Sequence, residues 1–424
     1  MTDSLELWRM ESMMRVYIGL IWFYADLGTA TLSEAVQQVQ TGVDKVVAAT
    51  PVLGGTFRET VPVCIKYARE SRVAVSSVAV PYTYGEMAES GFDQNKYEQL
   101  FGAMPAITPV LEGLAVLRVW VFGLGCGGVA VAVSLHHALG DGAAAGQVAE
   151  SIGRACTDPF YEPPAMWSSR DRMREVLTGS VKEGDEVDGS YGTHLRQLAS
   201  KSGGPLRTSG EVRAHQFVVG AEALRRLKQL ATDAGGDVCS TNDMVVALFW
   251  RAHARAVSSH GSSSEFTYTG GPKDLRLATN TSNCLGNMIV LCPAFAAKAA
   301  VLAEEDPVPA ARIVRRVTRS GSAAGLLGFI AETEAGAPDI LATLGATDSP
   351  STAFSNMARL PLRSVDFGLG SLGSAQLRSF CTAFIVHAID DGAGGMLANI
   401  CLPASFLNAF IADEEFMAYA DLVY

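Results

Sequence analysis

The 424-residue chain has little that would tie it to a membrane or a nucleic acid. Lysine and arginine number 33 against 44 aspartates and glutamates, a net charge of −11, which argues against a general nucleic-acid or anionic-membrane surface. The apolar run YIGLIWFYA (17–25) is nine residues long, too short to span a bilayer. No short basic segment precedes it and no cleavage site follows it, so it does not read as a secretory signal. The eight cysteines form no CxxC pair and do not cluster with histidines at zinc-ligand spacing. Most sit in apolar runs such as MIVLCPAF (288–295) and read as buried thiols of a reducing compartment. The expectation is a cytoplasmic protein with no metal site. Self-similarity at a fixed period and low-complexity bias are also missing, which excludes solenoids, coiled coils and collagen-like chains.

What is present is apolar material for more than one core: 48% of the residues are hydrophobic, and the length predicts two domains. RVYIGLIWFYA (15–25) reads as a buried strand. TLSEAVQQVQTGVDKVVAAT (31–50) reads as a helix capped by Thr31 or Ser33. A strand follows at VPVCIKYA, and LAVLRVWVFGLGCGGVAVAVSLHH (114–137) reads as a hairpin with its turn at Gly125–Gly128. GAAAGQVAESIGRAC is the next helix. Residues 157–210 turn rich in Pro, Gly, Ser and charge, and read as a long surface crossover. Beyond it come a strand (AHQFVVG), two helices (AEALRRLKQLATDAG and STNDMVVALFWRAHARAV), strand-like FTYTGGPKDLR and NMIVLCPAF, and a mostly helical 307–347. RSVDFGLGSL reads as a loop, FCTAFIVHAI and GGMLANICLP as strands, and the C-terminal segment as a helix. The sum is an α+β chain of two similar-sized domains, 1–156 and 211–424, each a mixed sheet flanked by helices.

Two short stretches carry chemistry. In SLHHALGDG (134–142), two of only seven histidines stand where a strand breaks into a helix. Adjacent residues leaving a strand point to opposite sides, so one of His136 and His137 can face the core and the other a cleft. Imidazole is the side chain suited to accept a proton near neutral pH. Asp141 either orients an imidazole or anchors the turn, and Gly142 permits backbone closed to other residues. The second stretch, DFGLG (366–370), makes a tight, carboxylate-bearing loop. No HRD-type catalytic loop or Gly-rich nucleotide loop accompanies it, which excludes a kinase.

In order along the chain, HHALGDG (136–142), STNDMVVALFWRAHARA (240–256), DLRLATNTSNCLGN (274–287) and DFGLG (366–370) resemble the motifs of the BAHD acyltransferases, within the superfamily of CoA-dependent acyltransferases, chloramphenicol acetyltransferase and condensation domains. The opening MMRVYIGLIWFY and ATPVLGGTFRE look like the fungal trichothecene acetyltransferase-like branch. The resemblance implies a chloramphenicol-acetyltransferase-like fold with an active-site tunnel at the domain interface. It implies His137 as general base and His136 as a packing residue. The base would act on an acceptor that attacks an acyl-CoA, expected to be acetyl-CoA, with a hydroxyl of a small secondary metabolite as acceptor. It implies that Asp141 ion-pairs with an arginine, that Asp366 pairs with Arg276, and that Ser240, Thr241 and Asn242 approach the coenzyme. Many members place a tryptophan two residues after the serine corresponding to Ser355. Here that residue is Met357, which leaves Ser355 and Asn356 as oxyanion donors, while Leu369 replaces the tryptophan of DFGWG. No permanently bound cofactor and no nucleic-acid or membrane partner is implied, and a monomer is expected. A carrier-protein donor, as in condensation-type enzymes, and a tunnel turned to another reaction or to binding are the alternatives.

Overall fold

The apolar runs of the first half form the middle of a five-stranded sheet, ordered Leu372–Leu377, Tyr17–Tyr24, Val129–His136, Leu117–Gly123 and Val75–Ala79. All eight residues of Tyr17–Tyr24 and all eight of Val129–His136 are buried, so both strands are covered on both faces instead of alternating between core and solvent. The helices Leu32–Ala49 and Gly142–Thr157 lie against this sheet and cross so closely that a Cβ on Gly42 would sit 2.5 Å from Cys156 Sγ. An aromatic cluster joins Phe23, Trp120 and Phe122 to Met87, Tyr97 and Phe101. The edge strand Val75–Ala79 runs parallel to Leu117–Gly123, and the other pairings are antiparallel. The expected hairpin is present, its turn closed by Gly127 at φ +86°. The computed structural model describes residues 2–182, 211–236, 239–261, 265–335, 352–379 and 384–424.

A second mixed sheet is ordered Ala353–Asn356, Ile385–Asp390, Met396–Pro403, Val212–Val219 and Asp421–Leu422. Only its first pair is parallel. Its core gathers round the helix Thr241–Ser259, whose Met244, Leu248 and Phe249 are buried with Phe217, Phe354, Phe410 and Phe416. The strands Phe266–Asp274 and Ile289–Ala297 form a separate antiparallel ribbon. Helix starts follow local chemistry: Thr31 and Ser240 each make a reciprocal capping box, with Glu34 and Asp243 respectively.

Two compact α+β units result. One comprises Met1–Gly179, Arg276–Met288 and Leu360–Ser379; the other comprises Ser180–Leu275, Ile289–Arg359 and Phe380–Tyr424. The segment linking the ribbon strands thus belongs to the first unit, as does the strand Leu372–Leu377, which pairs with Tyr17–Tyr24. Of the crossover at 157–210, residues 170–179 are a helix and 183–210 lie outside the described residues. The helical segment 307–347 is two helices, Val308–Ser320 and Ala323–Glu334, with 336–347 outside the described residues. So are 380–383, the start of the expected strand FCTAFIVHAI, whose described part is Ile385–Asp390. The single closing helix is corrected to Ala404–Ile411 and Glu414–Met417, because Asp413 starts a new cap on Phe416 N–H.

Candidate active site

The strand Val129–His136 ends at the first histidine, and the two imidazoles meet different surroundings. His136 is fully buried, 4.7 Å from the Tyr17 ring and 4.6 Å from that of Phe57. Its Nδ1 accepts the Ala138 N–H at 3.2 Å, so Nε2 carries the proton and donates to Thr108 Oγ1 at 2.9 Å. Burial, with Coulombic help from His137, Arg118 and Arg15, drives its pKa down to about 3. A histidine so enclosed is neutral at any physiological pH and packs.

His137 is half-buried. Its backbone is held at both ends, N–H to Val16 O at 2.8 Å and carbonyl from Asn287 Nδ2 at 3.0 Å. Nδ1 is buried with no partner in hydrogen-bonding geometry, which leaves Nε2 as the nitrogen open to a reactant. Burial lowers its pKa from 6.5; the nearby His137 carbonyl, the Asp141 carboxylate and the Asn287 side chain offset part of this. The ring is therefore neutral near pH 7, the state that accepts a proton.

Asp141 anchors the turn; it makes no hydrogen bond to an imidazole. Its Oδ1 accepts Ala144 N–H at 3.1 Å and caps the helix Gly142–Thr157, while Oδ2 accepts Arg276 Nη1 at 2.9 Å and Met288 N–H at 3.0 Å. Both partners of the ion pair are buried, Asp141 at 2% and Arg276 at 7% exposure. Arg276 Nη2 also donates to Gly286 O at 2.9 Å and Cys284 O at 3.3 Å. Gly140 makes this closeness possible: a Cβ there would lie 2.1 Å from Leu285 O. Gly142 is a correction. It is the first helical residue and has no positive φ, so its special freedom is not used.

Two residues at this site were not assigned roles from the sequence. Asn287, fully buried, ties the Arg276–Met288 segment to His137. Glu11 is 4% exposed and its Oε2 accepts Trp8 N–H at 2.9 Å. Burial raises its pKa to about 7, against the pull of the Trp8 N–H, the charge of Arg170, and the Asn287 side chain and N–H. Asn287 closes the DLRLATNTSNCLGN stretch but received no role of its own there, and Glu11 shows in the sequence only as a local helix-start acid bonded to Trp8 N–H.

The DFGLG turn requires the second correction. Arg276 goes to Asp141, and Asp366 is exposed, its Oδ1 accepting Gly368 N–H at 2.7 Å. The carboxylate shapes its own turn, an arrangement that leaves it facing water instead of the buried guanidinium. Around it, Phe367 packs on Trp22 at 5.3 Å, Gln38 Nε2 donates to Phe367 O at 2.7 Å, and Gly368 takes φ +71°. Leu369 is buried.

The remaining candidates lie in the second unit. Ser355 and Asn356 end the strand Ala353–Asn356, both half-buried. Asn356 Nδ2 donates to Asn242 Oδ1 at 2.8 Å, and the two side chains line a cavity of about 40 Å³ with Thr269, Gly270 and Phe354. Met357 is buried. Ser240 is committed to its cap: Oγ accepts Asp243 N–H at 3.2 Å and donates to Asp243 Oδ2 at 2.7 Å. Asp243 thus brings a carboxylate to the helix start, next to Thr241 and Asn242, with Arg315 Nη1 3.6 Å from its Oδ2.

Among the described residues no group of three or more His, Cys, Asp or Glu could hold a metal ion, and no helix is long and apolar enough to cross a membrane. A family model described as "Transferase family" matches residues 92–417. The chain is 27% identical over 164 residues to 3'-N-debenzoyl-2'-deoxytaxol N-benzoyltransferase from Taxus canadensis, a match covering 38% of this chain and 33% of that one. The chain therefore spans about a third of the length of the curated relatives it matches. TRI101 from F. graminearum, complexed with coenzyme A and T-2 mycotoxin, aligns over 100% of both chains at TM-score 0.79 and 17% identity. Vinorine synthase aligns over 99% of both at TM-score 0.68 and 16% identity. These likenesses establish the two-unit α+β fold.

Proposed function

The chain belongs to the transferase family whose model spans residues 92–417, and from that premise we propose that it is an acyl-CoA-dependent acyltransferase of the BAHD type. It would move an acyl group, expected to be acetyl, to a hydroxyl of a small secondary metabolite. The observation that carries this reading is the environment of His137: a neutral imidazole, its backbone pinned by Val16 and Asn287, with the following turn braced by the buried Asp141–Arg276 pair.

In the proposed reaction His137 Nε2 takes the hydroxyl proton as the acceptor oxygen attacks the thioester carbonyl. The carbonyl electrons move to oxygen, and the Ser355 hydroxyl is the proposed donor to that oxyanion. Asn356 is the weaker candidate because one of its amide hydrogens already serves Asn242. Collapse re-forms the carbonyl, breaks the C–S bond and expels the thiolate, which takes the proton from the imidazolium. No covalent acyl-enzyme is needed. Ser240, Thr241 and Asn242, at the helix start beside the Asp243–Arg315 pair, are proposed to approach the pantetheine arm and phosphates of the coenzyme. TRI101 is complexed with coenzyme A and T-2 mycotoxin, which supports a coenzyme A donor and a fungal-type acceptor for this chain.

The test needs no acceptor. Thermal unfolding is followed with and without coenzyme A, at up to millimolar concentration. A ligand at 100 times its Kd stabilises the fold by about 2.7 kcal/mol, so the reading predicts a clear upward shift of Tm. No shift at millimolar coenzyme A would overturn the CoA donor and favour a carrier-protein thioester.

A further inference from the structure

The first unit contains a second concavity, none of whose lining residues is assigned to acyl transfer. It is a pocket of about 390 Å³ at the edge strand Val75–Ala79, lined by Thr56, Arg72, Val73, Ser76, Arg118 and Trp120 among others. That volume falls within the range of small-ligand sites.

Its charge is the unusual part. In a chain with net charge −11, two guanidiniums line one pocket with no acidic side chain in its wall. Other arginines of this unit have acidic partners: Arg15 pairs with Glu59 at 2.9 Å and Arg58 with Glu112 at 3.2 Å. Arg72 donates only to its neighbour's carbonyl, Ser71 O, at 3.0 Å. Arg118 lies over the Tyr17 ring, 5.3 Å from its centroid. Neither has a carboxylate partner among the described residues. Two cations that line one cavity without a carboxylate favour an anion between them, and guanidiniums suit the paired oxygens of a carboxylate or phosphate. The rest of the wall adds two hydroxyls and an apolar floor that includes Val73 and Trp120, 7% exposed each. That floor favours an organic body over a bare inorganic ion.

We propose that this pocket is a binding site for a small organic anion, whose carboxylate or phosphate bridges Arg72 and Arg118 while its apolar body lies against Trp120. Its lining shares no residue with the proposed acyl-transfer machinery, and the proposal does not depend on that assignment. Arg118 also contacts Tyr17, whose ring packs on His136.

Isothermal titration of the full chain tests it with three probes: benzoate, phenyl phosphate and neutral benzamide. The expected result is saturable binding of at least one aromatic anion and none of benzamide, weakened roughly 10-fold or more by Arg72→Gln and by Arg118→Gln. Benzoate against phenyl phosphate separates the carboxylate source from the phosphate source. Arg72 is exposed, so Arg72→Gln keeps the test sound if Arg118→Gln fails to fold. Absence of saturable binding by either anion, equal binding of benzamide, or affinity unchanged in Arg72→Gln would overturn the proposal.

Discussion

At the scale of single residues, burial assigns different work to neighbouring groups. His136 and His137 share a strand end, yet one is sealed among Tyr17, Phe57 and Thr108 and the other keeps an open nitrogen. Glu11 is the least expected member of the site. Its pKa is raised from 4.5 to about 7 by burial, so between those values the folded chain holds a proton that the unfolded chain has lost. Stability from this group is present below pH 4.5 and is lost as pH rises through 7. His136 works the other way, since a pKa lowered from 6.5 to about 3 makes stability fall as pH drops below 6.5. Glu11→Gln removes the first contribution only. Relative to wild type it is predicted to gain on moving from pH 5 to pH 8, by ~3 kcal/mol at most, in urea unfolding at the two pH values. A pH-independent difference would show that Glu11 carries no such proton.

At the scale of elements, the helix Gly142–Thr157 and the segment Arg276–Met288 meet at one carboxylate. Asp141 caps the helix with one oxygen and receives Arg276 and Met288 with the other. Asp141→Ala removes the cap and strands a buried cation, a loss of about 3–5 kcal/mol. Asp141→Asn keeps the capping oxygen and is predicted to lose less, as the midpoint of urea unfolding will report; equal losses would show that the cap contributes nothing. Much of this level was legible in the sequence. Apolar runs such as VAVAV and YIGLIWFY marked the central strands, and Thr31 and Ser240 marked helix starts, because both signals are local. The edge strands were not legible. Val75–Ala79 is partly exposed with two adjacent serines, and Leu372–Leu377 follows directly on a glycine-rich turn. Each is a strand because a neighbour in the sheet takes its hydrogen bonds. The pairing of Asp366 with Arg276 failed for a related reason: the resemblance supplied two acids and one arginine, and only burial decides which acid holds it.

At the scale of the whole molecule, the order of the chain and its compact units do not run in step. The first unit takes its edge strand from Leu372–Leu377 and the partner of Asp141 from Arg276. Residues 1–179 expressed alone therefore leave Tyr17–Tyr24 without one neighbour and Asp141 without its cation. They are predicted to show no cooperative unfolding transition, and a native-like transition would contradict the interleaved arrangement. The proposed transfer needs this interleaving, since the turn that holds His137 is braced by residues 135 to 150 positions downstream. The most direct test of acyl transfer is thiol release from acetyl-CoA over a panel of hydroxylated acceptors, comparing wild type with His137→Ala and confirming that the variant keeps its Tm. The account predicts acceptor-dependent release by wild type, with an acid limb centred below pH 6.5 because burial lowers the His137 pKa, and a loss of roughly 100-fold or more in the variant. Near wild-type turnover by folded His137→Ala would contradict it.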